Sequence, residues 1–434
     1  MNLPYRGAMA QALDEIIDRD LRPHVPGAAV AVLHAGEPVF ESSVGHADLG
    51  WHEPVTPTTV FGLGSVTEPI TALTVLTLVR DGLLDLDAPI TAYLPGYPPS
   101  GATIRPRHLL SHTSGLVNFV TRPGFRTNVM PLDHTDAGLI ALFANEPLEF
   151  PTGSRYSYSN SGYMLLAMAI EAVTAGSYAE AVTERVFTPA GMTGVIVLDD
   201  RTIVPELACG YIPEQGGFVH TDHVSMTLGG AAGGIACSLR NMTRLSQALL
   251  DGTIVGRETL AHAQAPVTLT NGRAIGYGYG WVCGTYRDRP YVSHAGGIRG
   301  YSTAYVHLPD QDITVIVLTN LGGFDAYAVA RSLVDEVAPA PRPSPAWISV
   351  PASHRAGSYR EPLAEIRIHP DGDRLLVASG DHNGRMGAIA PDLYVAEADP
   401  EVILRFHDDE TPPACTLYRP FTWTTGYLDG PRGN

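Results

Sequence analysis

Apolar and polar residues follow a helical period over residues 8–21, and this predicts an amphipathic helix there. Residues 28–33 (AAVAVL) and 38–43 (PVFESS) read as strands on either side of the turn Ala35-Gly36-Glu37-Pro38. From Val66 to Asp81 the apolar residues, Ile70, Leu73, Leu76 and Val79 among them, fall on most faces, as in a helix buried all round, and Gly82 supplies its stop. A third helix is predicted over Asn160–Thr174. The glycine-dense run Gly229–Gly234 precedes another near Leu239–Leu250. Strand patterns then follow at Tyr277–Cys283, Tyr291–His294, Thr303–His307 and Ile313–Thr319, and a helix at Tyr327–Val337.

The texture then changes. Pro339, Pro341, Pro343, Pro345 and Pro351 fall close together, and proline at that density favours extended chain, so 339–351 is predicted to be a linker. It would separate a domain over 1–338 from one over 352–434. In the latter only strand-like runs occur: Glu365–His369, Leu375–Ala378, Leu393–Glu397, Val402–Phe406 and Cys415–Tyr418. Evenly spaced short strands, with a hairpin turn at His369-Pro370-Asp371-Gly372, predict a small β-barrel.

Composition narrows the function classes. The 434 residues carry a net charge of −17, which repels phosphate backbones and anionic lipid, so neither nucleic acid nor a membrane surface is an expected partner. No apolar run reaches the length of a membrane span, and the N-terminus lacks the apolar core of a signal peptide, so the expected location is the cytoplasm. Cys209, Cys237, Cys283 and Cys415 are scattered and read as free thiols. All 28 basic residues are arginine; with no lysine in the chain, no lysine can take part in its chemistry.

The candidate chemistry begins at Ser65, just before the buried helix, where a hydroxyl feels the positive end of the helix dipole. Ser65-Val66-Thr67-Glu68 also fits a capping box, in which Ser65 and Glu68 would bond each other's backbone N–H and do nothing else. Two further segments bear on the choice: Tyr158-Ser159-Asn160 before the third helix, and His294-Ala295-Gly296 at the end of a strand. In order and spacing these three resemble the motifs of the serine β-lactamase and penicillin-binding-protein-like superfamily. Phe61-Gly62-Leu63-Gly64, the segment from Arg107 to Leu116, Pro151-Thr152-Gly153 and Gly233-Gly234 add to the resemblance, which covers about residues 10–337.

The resemblance implies an α/β (α+β) fold: an antiparallel sheet flanked by helices, an all-helical subdomain over about 70–230, and a small C-terminal lipocalin-like β-barrel. It implies Ser65 as nucleophile, Tyr158 as general base and acid, Asn160 as a substrate-binding residue, His294 in place of the third-motif lysine, and the N–H groups of Ser65 and Gly297 as an oxyanion hole. Arg299 is a candidate carboxylate anchor. Glu68 stands where the family carries its catalytic lysine. A carboxylate there opposes formation of an alkoxide, since two unit charges ~4 Å apart interact by about 4 kcal/mol at an effective dielectric near 20.

Three readings follow. The first is a cofactor-independent serine hydrolase or acyltransferase with a rewired site, acting on a small ester, amide or thioester, in one form a carrier-protein-bound acyl group of natural-product biosynthesis. In it Glu68 is the base, or it orients His294 in a Ser-His-Glu arrangement. The second is an isomerase, lyase or cyclase using Glu68, Tyr158 and His294 for proton transfer. The third is a non-catalytic small-molecule binder. No metal is expected: His220 and His223 read as loop residues. His112 reads as structural, and Tyr277-Gly278-Tyr279-Gly280-Trp281 fits a pocket wall or a core strand equally well.

Overall fold

A computed structural model describes residues 6–98, 103–350, 355–361, 364–380, 382–408 and 413–428. By its contacts the chain divides into two compact units. The first takes the chain up to Arg155, Ser159–Gly284 and Pro290–Pro339; the second takes Tyr156–Tyr158, Thr285–Arg289 and the chain from Ala340.

The first unit is built on an antiparallel sheet. Its strands are β1 (Gly27–His34), β2 (Glu37–Asp48), β3 (Glu53–Pro54), β4 (Val282–Tyr286), β5 (Arg289–Ile298), β6 (Tyr301–Leu308) and β7 (Ile313–Thr319), in the order β3-β2-β1-β7-β6-β5-β4. β1 and β7 are buried almost end to end, as strands covered on both faces must be. Alternation sorts their side chains. Ala29, Ala31, Leu33, Ile316 and Leu318 join one large core with helices α2 (Thr67–Arg80), α3 (Pro106–Leu110), α4 (Asn160–Thr174) and α5 (Leu239–Asp251). Helices α1 (Arg6–Asp20) and α6 (Ala326–Val337) pack against each other, with α6 on β6 and β7.

α2 is buried on every face from Thr67 to Leu78, as its apolar pattern predicts. Its threonines return their hydroxyls to the helix or to close neighbours: Thr74 donates to Ile70 O at 3.0 Å, and Thr71 donates to Ala231 O at 2.7 Å. The helical region is not purely helical. Short strands at Val60–Gly62, Ile235–Ser238 and Ile196–Val197 form a small sheet, and Tyr211–Glu214 pairs with Gly217–His220. The strand expected at Tyr277–Cys283 starts only at Val282. Gly280 is left-handed (φ +79), and a Cβ at Gly278 would stand 2.1 Å from Ala263 O, so this stretch turns where a strand would run straight.

The second unit is a closed barrel of eight strands, Gly357–Glu361, Ala364–Asp371, Arg374–Ser379, His382–Ala390, Leu393–Ala396, Ile403–His407, Ala414–Arg419 and Thr422–Leu428. Each pairs with the next, and the last closes on the first at Tyr359↔Leu428 and Arg360↔Tyr427. Tyr359, Tyr394, Phe406, Met386 and Leu417 fill its interior. Part of the proline-rich stretch belongs to this unit. Ile348 N donates to Ala388 O at 2.8 Å, Trp347 lies on Gly387, and Val350 packs on the barrel core; Pro351 lies outside the described residues.

Candidate active site

Ser65 sits in a tight 3-10 turn, Gly64–Val66, that leads into α2. Gly64 takes φ +56, and a Cβ there would stand 2.5 Å from Gly297 N. A Cβ on Gly296 would stand 1.8 Å from Leu63 O, the same oxygen that accepts the Thr303 hydroxyl at 2.7 Å. The serine turn and the end of β5 are thus wedged together, backbone on backbone, through three glycines. Thr67 Oγ1 accepts Ile235 N at 3.2 Å and ties the start of α2 to the small sheet. Ser65 is half-buried, and its hydroxyl makes no hydrogen bond among the described residues.

The capping box does not form. α2 begins at Thr67 with no side-chain cap, and Glu68 points inward, fully buried. Its Oε2 accepts from His112 Nε2 at 3.0 Å and from the Tyr277 hydroxyl at 3.0 Å, and lies 3.4 Å from His294 Nε2. Tyr277 Oη is also 2.8 Å from His294 Nε2. The outer nitrogens fix the proton positions. His112 Nδ1 accepts Ser159 N at 3.2 Å, so the His112 ring presents an N–H to Glu68. His294 Nδ1 is 2.7 Å from Ala295 O and must donate to it, so Nε2 is the nitrogen that gains or loses a proton. Burial alone would push the Glu68 carboxyl up; His112, by electrostatics and its hydrogen bond, and then His294 hold it down to about 2.

Local structure puts each group in place. Gly280 brings the 277–281 turn onto the first turn of α2, where a Cβ would stand 3.0 Å from Glu68 O, and Tyr277 reaches Glu68 from there. His112 adopts φ +55, a conformation costly for a non-glycine residue, and its ring packs against Tyr163 with centroids 5.2 Å apart. Strain of this kind persists where surrounding bonds over-determine it.

Ser65, Glu68, His294 and Gly297 therefore meet within the first unit, joined by His112 and Tyr277. His112, read from the sequence as structural, bonds Glu68 directly. Its only mark in the sequence is a place in the Arg107–Leu116 segment. The alternation of Tyr277, Tyr279 and Trp281 with glycine marks a turn with three destinations. Tyr277 goes to the site, Tyr279 lies against His262 and Trp281 against Tyr305. Asn160 opens α4 with its N–H on Asn118 Oδ1 at 3.3 Å, and its carboxamide makes no hydrogen bond among the described residues. Tyr158 is half-buried and groups with the second unit. Arg299, left-handed at φ +44, is held by Asp200 at 2.8 Å and His223 Nδ1 at 3.2 Å, so its charge is engaged within the protein. His220 stacks on Tyr211, and no group of three or more metal-ligating side chains occurs among the described residues.

Comparison with known proteins places this geometry. The beta-lactamase family model matches residues 9–338. Penicillin-binding protein 4* of Bacillus subtilis is 32% identical over 317 residues, 68% of this chain and 68% of its own length. A D-aminopeptidase of Gluconobacter oxydans is 28% identical over 301 residues, 68% of this chain and 56% of its own. Among solved structures, SurE superposes with a TM-score of 0.67 at 25% identity, covering 98% of this chain and 99% of SurE. With the family model running from α1 to α6 and Ser65 at the head of its buried helix, the chain belongs to the beta-lactamase family, the serine β-lactamase and penicillin-binding-protein-like superfamily.

Proposed function

We propose that the protein is a cofactor-independent serine acyl hydrolase or acyltransferase in which Glu68, Tyr277 and His294 take over the proton handling that a lysine performs elsewhere in the superfamily. The observation that carries this is the arrangement around Glu68: one ionised, buried carboxylate with a tyrosine hydroxyl and an imidazole nitrogen in mutual contact. Glu68 Oε2 already accepts from His112 Nε2 and the Tyr277 hydroxyl, and the neighbouring histidines hold its carboxyl down, so we assign the proton acceptor to His294.

His294 suits that role. The Tyr277 hydroxyl donates to Glu68 Oε2 and its oxygen lies 2.8 Å from His294 Nε2, so a proton taken up at Nε2 is donated to the Tyr277 oxygen, with Glu68 3.4 Å away. The imidazolium so formed neutralises the carboxylate that would otherwise oppose the Ser65 alkoxide. The Ser65 oxygen adds to the substrate carbonyl, its proton passes to this cluster, and the N–H groups of Ser65 and Gly297 receive the oxyanion. Collapse expels the leaving group with a proton and leaves an acyl-Ser65, which water or an amine then resolves. His294 Nε2 returns to the leaving group the proton it took from Ser65. The proton-transfer and binding-only readings lack a role for the Ser65 hydroxyl, which is half-buried and makes no hydrogen bond among the described residues.

The relatives bear on the substrate. They include D-aminopeptidases, and solved structures of a D-stereospecific amidohydrolase from Streptomyces and of SurE with D-Leu. We propose an acyl donor, ester, amide or thioester, whose carbonyl belongs to a D-configured amino-acid residue. Rates with p-nitrophenyl esters of D- and L-amino acids test this. The D-ester should be preferred at least tenfold and Ser65→Ala should abolish turnover; equal rates, or turnover surviving in Ser65→Ala, would overturn it.

A further inference from the structure

A cavity of about 610 Å³ lies in the first unit, lined by none of Ser65, Glu68, His112, Tyr277 or His294. Its floor is apolar and adaptable: Met164, Ala167 and Met168 of α4, with Leu139 and Met226. Its walls carry five carboxylates, Asp133, Asp136, Glu171, Asp199 and Asp200, against one arginine, Arg201. Two large apolar side chains next in sequence to lining residues are exposed to solvent, Ile203 at 91% and Leu132 at 54%.

The cavity lies one short helical turn away from the serine turn. Positions 160, 164, 167, 168 and 171 recur at helical spacing, so the strip of α4 that begins at Asn160 continues through the methionine floor and ends at Glu171. Eleven residues at 1.5 Å each make that strip about 16 Å long. The helical turn Gly230–Gly233 joins the two places. Gly230 lines the cavity beside Met164, and a Cβ on Gly233 would stand 3.6 Å from Gly64 C, next to Ser65.

Two of the carboxylates are not fully engaged. Glu171 accepts Tyr178 N through Oε1 at 2.8 Å, and neither its second oxygen nor the Asp136 carboxylate makes a hydrogen bond among the described residues. Burial pushes the Glu171 carboxyl up and Asp136 adds to this, while the Tyr178 N–H holds it back.

Resting on the acyl-transfer reading above, we propose that this groove binds the distal part of the acyl donor: an apolar peptidyl chain whose free N-terminal ammonium is received by Glu171 and Asp136. Extended peptide advances about 3.3 Å per residue, so a strip of about 16 Å accommodates about five residues along α4. The apolar side chains lie on the methionines, and the ammonium meets the acidic end of the strip.

The test compares an apolar pentapeptide p-nitrophenyl ester, with a D-residue at its C-terminus, carrying either a free or an acetylated N-terminus. Turnover is measured on wild type and on Glu171→Gln and Asp136→Asn/Glu171→Gln variants, where the new amide oxygen at 171 still accepts Tyr178 N. Calorimetric titration of the corresponding pentapeptide amides into Ser65→Ala reads binding without turnover. Wild type should favour the free ammonium by about tenfold in KM, with kcat little changed. The preference should fall to about twofold or less in the double variant, and the single-residue D-ester should react equally with all of them. Ammonium and acetyl forms that bind and react alike, or a preference that survives in the double variant, would overturn the proposal while leaving Ser65 chemistry standing. Ammonium-selective binding to Ser65→Ala, with no ester turnover by wild type, would overturn the acyl reading and retain the groove as a site for cationic peptides.

Discussion

In the proposed mechanism Glu68 is the residue on which the serine's activation turns. Its carboxyl, ordinarily near 4.5, is held at about 2 in the folded chain. The unfolded chain therefore binds the extra proton first as pH falls, and the stabilisation is complete above about 4.5 and is lost progressively toward 2. The shift corresponds to about 3 kcal/mol. Glu68→Gln should flatten the acid limb of a denaturant-derived stability curve between pH 4.5 and 2; a limb as steep as that of wild type would show that Glu68 is not held ionised. His294 carries the proton in the proposed cycle, so His294→Ala should lower kcat by about 10²- to 10⁴-fold with KM little changed, measured in steady state on the single-residue D-ester. Motif spacing marks Ser65, Glu68 and His294 as candidates in the sequence despite the change at position 68. It does not mark His112, and it leaves Tyr277 between pocket wall and core strand. Neither has a spacing relation to Glu68, and both reach it only through backbone turns, one at a left-handed histidine and one at Gly280.

The elements that hold the site do so through glycine contacts. A Cβ at Gly296 would stand 1.8 Å from Leu63 O and 2.4 Å from Thr303 Oγ1, so the serine turn and the end of β5 cannot both keep their places. Gly296→Ala should lower stability by about 1–3 kcal/mol in urea unfolding and slow Ser65 acylation. The control is Gly297→Ala, whose Cβ would meet nothing within 4 Å and should leave stability unchanged. Equal stability losses in the two variants would contradict the wedge. Periodicity gave the long elements almost to the residue: α4 spans Asn160–Thr174 and β7 Ile313–Thr319, as their patterns predict. It failed where glycine breaks the pattern. Tyr277–Trp281 alternates like a strand yet turns, and the barrel strand His382–Ala390 contains two glycines and so little apolar run that it was not foreseen.

At the scale of the whole chain, the proline cluster marks the change from helix-and-sheet to all-strand structure. Charge could not show that its second half packs on the barrel through Trp347, Ile348 and Val350. The barrel's closure was also hidden, because the pairing of Gly357–Glu361 with Thr422–Leu428 joins segments some sixty residues apart by backbone bonds, which leave no periodicity. Glu68, His112, Tyr277 and His294 form a network wholly in the first unit, one helical turn from Ser65, and the central claim is that it activates the serine without a lysine. The most direct measurement is the intact mass of the full chain after reaction with p-nitrophenyl acetate or a fluorophosphonate, for wild type, Ser65→Ala and Glu68→Lys. The account predicts a single adduct on wild type that is absent from Ser65→Ala. No adduct on wild type, with labelling gained in Glu68→Lys, would contradict it.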